Sequence, residues 1–209
     1  MNKRAAIITS YIDTPFPMKD DAESMDIIIC TDGGYDLASE QKIRPNFLLG
    51  DLDSITSPIP EDIPVIRFNP EKDYTDLQLA IEKALEIGAS DIEIWGGIGG
   101  RLDHTIANIQ LLSNFSEKCQ RLILRDGANE AMILSAGTVH KIEARDGWYF
   151  SLFSLSDTCQ DLKIEGAKYN VDNFTLTRNY PIAVSNEFAS DIVSITVSGG
   201  TLLLVLASK

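Results

Sequence analysis

The segment LGDLDS, residues 49–54, sets Asp51 and Asp53 two residues apart directly behind an apolar run, with Gly50 in front of them. Paired hard oxygen donors suit Mg2+, which is commonly held by one or two carboxylates and completes its shell with water and substrate phosphate. Gly50 leaves the backbone open to close approach. An isolated Asp-x-Asp is also how a solvated turn or a cap is made, so the pair draws its meaning from what accompanies it. TDGG, residues 31–34, puts Asp32 and two glycines at the end of another apolar run. KDYTD, residues 72–76, gathers Lys72, Asp73, Thr75 and Asp76 where a helical pattern begins. The dipole and free N–H groups of such a turn suit either a capping acid or a phosphate. GGIGGRLDH, residues 96–104, supplies Gly96, Gly97, Gly99 and Gly100, then Arg101, Asp103 and His104. Backbone without side chains beside a guanidinium is what a polyphosphate can fit against, which makes Gly97, Gly99 and Arg101 candidate nucleotide contacts. The stretch is neither the dinucleotide GxGxxG fingerprint nor a Walker loop. Together the four segments offer acids for a metal and two cations, Lys72 and Arg101, for phosphate oxygens.

These segments need a scaffold that delivers them to one place. RAAIITS, DIIICTDGG, NFLLGDLDS, IPVIRF and DIEIWGG read as strands, each stopping at a turn-forming or polar residue. YDLASEQ and DYTDLQLAIEKALEIGA read as helices between them. In the second, Leu77, Ala80, Ile81, Ala84 and Leu85 follow the 3.6-residue period, Gly88 marks the stop and Thr75-x-x-Gln78 has capping-box form. A further helix is expected from about Asp103 through Phe115. Continuous apolar strands alternating with helices predict a parallel sheet covered on both faces. Ligands meet such a sheet at the carboxyl ends of its strands, where all four segments fall.

From about Leu122 the pattern changes to short strand-like runs joined by Gly, Asp and Asn turns, from EAMILSA to DIVSITVSGGTLLLVLAS. The fold class predicted is therefore an α/β domain over residues 1–121 followed by an all-β sandwich over 122–209. A Gly199-Gly200 turn predicts a terminal hairpin with Val197 opposite Leu202, Ile195 opposite Leu204 and Val193 opposite Leu206.

Composition narrows the partners. The 209 residues are 44% hydrophobic and 23% charged, an ordinary globular balance. A net charge of −13 repels an extended polyphosphate backbone and argues against nucleic acid as a partner. An anionic nucleotide would need a divalent metal and a few placed cations to enter. No run approaches a membrane span and the N-terminal apolar stretch is too short for a secretory signal, so no membrane partner and a cytoplasmic location are expected. Cys30, Cys119 and Cys159 lack CxxC spacing and read as small hydrophobes rather than as a disulfide or zinc framework.

The series DGG, GDLDS, KDYTD and GGIGGRLDH, in this order and spacing, resembles the thiamine pyrophosphokinase family, as do the later GAKYNV and VSNEF. The resemblance covers about residues 28–209. It implies an α/β nucleotide-binding domain, a β-sandwich that helps bind thiamine, a homodimer with active sites at the subunit junction, and Mg2+-dependent diphosphoryl transfer from ATP to thiamine with release of AMP. Carried over by motif, Asp51, Asp53 and Asp76 would hold Mg2+, with Asp32 in a nucleotide or metal-shell role. Lys72, Thr75 and Arg101 would engage the triphosphate, and Asp103 would organise the reacting ends. Ser185 and Asn186 would lie near the thiamine pyrimidine. Tyr169 stands where the family often has Trp; burial in the sandwich core is the reading preferred for it, with stacking on substrate as the alternative. The first strand runs into ITSYIDTP rather than a glycine- or asparagine-bearing loop, so no nucleotide contact is assigned to residues 9–15. His104 is read as orienting its turn or capping the next helix rather than as a base. Two other functions share parts of this equipment: a pyrophosphokinase for another hydroxymethyl heterocycle such as a pterin, and a non-catalytic thiamine or nucleotide sensor.

Overall fold

The computed structural model describes residues 3–67 and 74–209. The chain divides into two compact units, Met1–Gly127 and Ala128–Lys209. In the first, strands β1 (Lys3–Ile8), β2 (Ile27–Thr31), β3 (Phe47–Gly50), β4 (Val65–Arg67), β5 (Ala89–Trp95) and β6 (Arg121–Arg125) form a sheet in the order β4-β3-β2-β1-β5-β6. Neighbouring strands within it pair parallel throughout the described residues. The strand Arg121–Arg125 pairs parallel with β5, which is why it belongs to the first unit and the compact division falls after Gly127 rather than near residue 122.

The connections are α1 (Met18–Ala22), α2 (Gly34–Glu40), α3 (Asp76–Glu86) and α4 (Leu102–Phe115). Met18 of α1, Tyr35 and Ala38 of α2, Ala6, Ile8, Ile28, Cys30, Leu48 and Trp95 form one buried cluster. The intervening Ile7, Ile29, Leu49 and Ile94, also fully buried, turn by strand alternation to the opposite face, against which α3 packs. Both faces are covered, as the uninterrupted apolar strands require. Thr75 caps α3 as expected, its Oγ1 accepting from the Gln78 backbone N at 3.2 Å. Only half of the capping box forms, because the Gln78 amide donates instead to Glu82 at 3.0 Å. Buried Glu93 on β5 ties three strands together, accepting from Arg121 at 2.8 Å and pairing with Arg4 at 3.5 Å.

The second unit holds β7 (Asn129–Leu134), β8 (His140–Glu143), β9 (Trp148–Ser154), β10 (Thr158–Glu165), β11 (Val171–Thr177), β12 (Ile192–Thr196) and β13 (Leu202–Ser208). Strand β13 lies antiparallel between β7 and β9, and a separate antiparallel sheet runs β11-β10-β12-β8. Their inward residues, among them Phe150, Leu152, Leu162, Ile164, Val193, Ile195, Leu202 and Leu204, make one core. The expected terminal hairpin does not form. Strand β12 pairs with β10 and β8, while β13 pairs with β7 and β9. Two strands whose apolar faces are both large bury more surface by facing each other across a sandwich than by lying edge to edge. Gly199-Gly200 is therefore a corner between sheets, fastened by the Gln160 N–H donating to the Gly199 carbonyl at 3.0 Å.

Cys30 and Cys159 are buried, Cys119 is half-buried, and all three are free thiols. Among the described residues no helix is long and apolar enough to cross a membrane.

Candidate active site

The strand order reverses between β1 and β5: from β1 the sheet grows through β2, β3 and β4, and from β5 it grows the other way through β6. Parallel neighbours whose connections leave in opposite directions open a crevice at their carboxyl ends. A cleft of about 360 Å³ lies there. Thr9, Ser10 and Tyr11 after β1, Thr31 and Asp32 at β2, Thr75 and Asp76 at the start of α3, Gly97, Gly99 and Arg101 after β5, and His104 and Asn108 on α4 all line it.

Asp32 and the Asp51–Asp53 pair come together because the turn after β2 interlocks with the loop after β3. Asp32 has a positive φ of 43° and its Oδ1 accepts from the Leu52 N–H at 3.3 Å. Leu52 is itself left-handed at φ 68°, which turns the loop so that Asp51 and Asp53 follow directly on β3. Gly50 permits this: its φ is 137°, and a Cβ there would lie 1.7 Å from Asp32 Oδ1. Asp51 Oδ1 accepts from the Asp53 N–H at 3.2 Å. Burial first, then the charges of Asp76 and Asp51, push Asp32 up to about 6, against the opposing pull of the Leu52 N–H. Asp51 likewise raises Asp53. Negative charge is concentrated here, with Asp76 and Asp51 both acting on Asp32 and Asp51 acting on Asp53.

The glycine turn is held from beneath. The Gly97 N–H donates to Tyr11 O at 2.7 Å, Gly97 O accepts from the Asn108 amide at 2.8 Å, and the Gly99 N–H donates to Thr105 Oγ1 at 3.1 Å. Arg101 grips Asp103 through both ends, Nε to Oδ1 at 3.2 Å and Nη2 to Oδ2 at 2.5 Å, and the pair is exposed. That bond is the main reason Asp103 lies below the usual carboxylate range. Asp103 Oδ1 also accepts from the His104 N–H at 3.0 Å, within the first turn of α4. Lys72 lies outside the described residues.

The expected residues of the second unit occupy a separate region of it. Tyr169 is 60% exposed, so the expectation that it fills the sandwich core is corrected. Asn186 explains why: only 7% exposed, it accepts from the Tyr169 N–H at 3.0 Å and donates to Tyr169 O at 2.8 Å, fixing that main chain at the surface. Tyr169 and Asn186 border an apolar pocket of about 280 Å³ with Val171, Phe174, Ile182 and Val184. Ser185, at φ 57°, donates its N–H to Ser151 Oγ at 2.9 Å.

The motifs account for the acids and glycines but miss Thr9, Ser10, Tyr11 and Asn108. The first three come from the segment to which no nucleotide contact was assigned, and their only signal was position, directly after the first strand. Asn108 left a weaker trace, a polar residue on the otherwise apolar buried side of α4.

Fold and cleft define the class: a kinase-type transferase in which an α/β unit precedes a β-sandwich. Residues 18–124 match the family model described as thiamin pyrophosphokinase, catalytic domain, and residues 139–202 the one described as thiamin pyrophosphokinase, vitamin B1 binding domain. Thiamine pyrophosphokinase of Bacillus subtilis (strain 168) is 31% identical over 168 residues, 78% of each chain. Thiamin pyrophosphokinase 1 of Caenorhabditis elegans is 24% identical over 85% of this chain and 77% of its own. The crystal structure of the Bacillus subtilis thiamine pyrophosphokinase superposes with a TM-score of 0.91 at 26% identity, covering 99% of this chain and 100% of that one. Yeast thiamin pyrophosphokinase, at 19% identity, shares the fold with a TM-score of 0.80 over 100% of this chain and 87% of its own. The chain belongs to the thiamine pyrophosphokinase family, whose reaction carries a diphosphoryl group from ATP to thiamine.

Proposed function

We propose that this chain, as a cytoplasmic homodimer with active sites at the subunit junction, converts ATP and thiamine to AMP and thiamine diphosphate with Mg2+. The observation that carries this reading is that Asp32 and Asp76 line one strand-end crevice beside the glycine turn, with Asp51 close enough to act on Asp32. The donor set fits Mg2+. Hard carboxylate oxygens crowd closely enough that Asp76 and Asp51 help raise Asp32 and Asp51 raises Asp53, yet among the described residues no three acid, histidine or cysteine side chains close into a finished cage. That suits an ion that leaves several positions to water and phosphate. Asp51, Asp53 and Asp76 would hold it, with Asp32 beside them; when bound it supplies the positive charge that offsets the donor's phosphates.

Lys72, Thr75, Gly97, Gly99 and Arg101 bind the triphosphate, the glycines by backbone approach and the cations by charge. Asp103 keeps Arg101 extended at the mouth of the cleft. The thiamine hydroxyl attacks the β-phosphorus in line; the new O–P bond forms as the bond to the AMP oxygen breaks, and the hydroxyl proton passes to a carboxylate of the cleft. Tyr169, Ser185 and Asn186 belong to the thiamine side, Tyr169 offering its exposed ring and Asn186 acting on Tyr169. The exposed apolar Leu102 and Ile106, one turn apart on α4 beside Arg101, support a subunit contact at the lip of the cleft.

Purified protein with ATP, Mg2+ and thiamine is expected to yield AMP and thiamine diphosphate in equal amounts, read by chromatography. Formation of ADP and thiamine monophosphate instead would overturn the diphosphoryl step.

A further inference from the structure

Beside its internal bonds, Asp53 N–H to Asp51 Oδ1 at 3.2 Å and Ile55 N–H to Leu52 O at 3.4 Å, the loop that carries Asp51 and Asp53 is tied from outside. From the chain leaving β2, the Asp32 carboxylate takes the Leu52 N–H at 3.3 Å, and the Gly33 N–H donates to Ser54 Oγ at 3.1 Å. One turn further, Asp36 on α2 takes three more: its Oδ2 accepts from the Thr56 N–H and the Thr56 hydroxyl, each at 2.9 Å, and its Oδ1 from the Ser57 N–H at 2.8 Å. Asp36 thus makes the last of three successive ties between the two segments. All three of these side-chain bonds go to the loop, two at Oδ2 and one at Oδ1. Asp36 itself is well anchored, since its neighbour Tyr35 is buried and donates from its hydroxyl to Pro58 O at 3.1 Å, at the far end of the same loop. The tie also works against strain: Leu52 is left-handed at φ 68°, a conformation that a leucine keeps only when its surroundings enforce it.

We propose that Asp36 is a positioning residue for Mg2+: by pinning Thr56 and Ser57 to α2 it holds the strained Asp51–Asp53 loop in its metal-binding form. The inference rests on the proposed role of Asp51 and Asp53 in holding the metal. Without the tie, the loop spends part of its time in conformations that do not present both carboxylates, and metal affinity falls by the fraction lost. Groups bonded behind metal ligands commonly contribute ten- to a hundredfold to affinity.

The test uses the full-length protein and two variants, Asp36→Ala and Thr56→Val, the second removing only the hydroxyl bond. Mn2+ serves as the probe metal, its binding read by electron paramagnetic resonance, with hydrogen exchange followed over residues 52–57 in metal-free protein. Asp36→Ala is expected to weaken Mn2+ about tenfold, to raise the Mg2+ midpoint of turnover by a similar factor and to leave kcat at saturating Mg2+ within about twofold. Exchange over 52–57 should quicken, and Thr56→Val should move every readout the same way by less. Should Asp36→Ala fail to fold, the Thr56→Val shift alone carries the test. Folded variants with lowered melting temperature but unchanged Mn2+ affinity would make Asp36 merely structural and overturn the proposal; so would a loss of turnover that no Mg2+ concentration restores. If wild-type protein makes no thiamine diphosphate while the Mn2+ shifts appear, the reaction fails and the positioning role stands.

Discussion

At the scale of single residues, the cleft is governed by the crowding of its carboxylates. Asp32, Asp51 and Asp53 come from two loops and Asp76 from the first turn of α3; burial first, then the charges of Asp76 and Asp51, displace Asp32 upward to about 6. Replacing Asp51 and Asp53 together by Asn keeps their size and removes the anionic donors. Turnover is expected to fall by at least about a hundredfold, the scale on which a site loses rate when its electrostatic stabilisation is withdrawn, while far-ultraviolet circular dichroism remains that of the wild type. Unchanged kcat in the double variant would remove the metal role from this pair. The LGDLDS motif is legible because aspartate, glycine and serine have few reasons to cluster behind an apolar strand. Asn186 is the opposite case. Its motif points to substrate, but both polar atoms of its side chain are spent on the main chain of Tyr169, a fact no local pattern could reveal.

At the scale of elements, caps and ties decide how firmly each loop is presented. Thr75 satisfies an orphan N–H at the start of α3, and Thr75→Ala should lower the stability of ligand-free protein by about 1 kcal/mol in denaturant unfolding, with Thr75→Ser retaining most of it. Asp36 makes a prediction with a definite sign in pH. Hydrogen bonds from Ser57 and Thr56 lower it to about 2, below its unfolded value of about 3.9. A folded-state value below the unfolded one gives stability that is fully present above pH 4 and is lost as pH falls from 4 toward 2. The gap in unfolding free energy between wild type and Asp36→Asn should therefore be constant from pH 5 to 7 and close at the acid end; a gap that persists at pH 2 would contradict the tie. Helices and strands of the first unit were legible from periodicity, since α3 and the central strands bury whole faces. The terminal hairpin was not. Pairing of β12 with β13 and packing of β12 across from β13 use the same alternation of Val193, Ile195, Leu202 and Leu204, and only the arrival of β10, β8, β7 and β9 chooses between them.

At the scale of the whole molecule, net charge and subunit organisation make separate demands. A protein of charge −13 repels a triphosphate, which under the proposed function would place the burden of attraction on the proposed Mg2+ and on side chains such as Lys72 and Arg101. If each active site draws on two subunits, variants disabled in different units should rescue one another. An Asp51→Asn, Asp53→Asn variant mixed in equal amounts with Asn186→Asp, and allowed to exchange subunits, is expected to regain about a quarter of wild-type activity, because half the dimers are then mixed and each holds one intact site. A monomeric mass in sedimentation, or no recovery after demonstrated exchange, would rule that organisation out.

Taken alone, the sequence determined the two-part architecture, the strand ends at which chemistry would gather and the acids and glycines that gather there. These depend on periodicity, turn chemistry and residue type, which are properties of short windows. Tertiary structure decided what those windows share: the strand order that opens the crevice between β1 and β5, the use of Thr9, Ser10, Tyr11 and Asn108 in its walls, the exposure of Tyr169 and the reach of Asp36 to a loop twenty residues away. Each of these rests on contacts between segments distant in the chain, whose partners are fixed only when the core has closed around them.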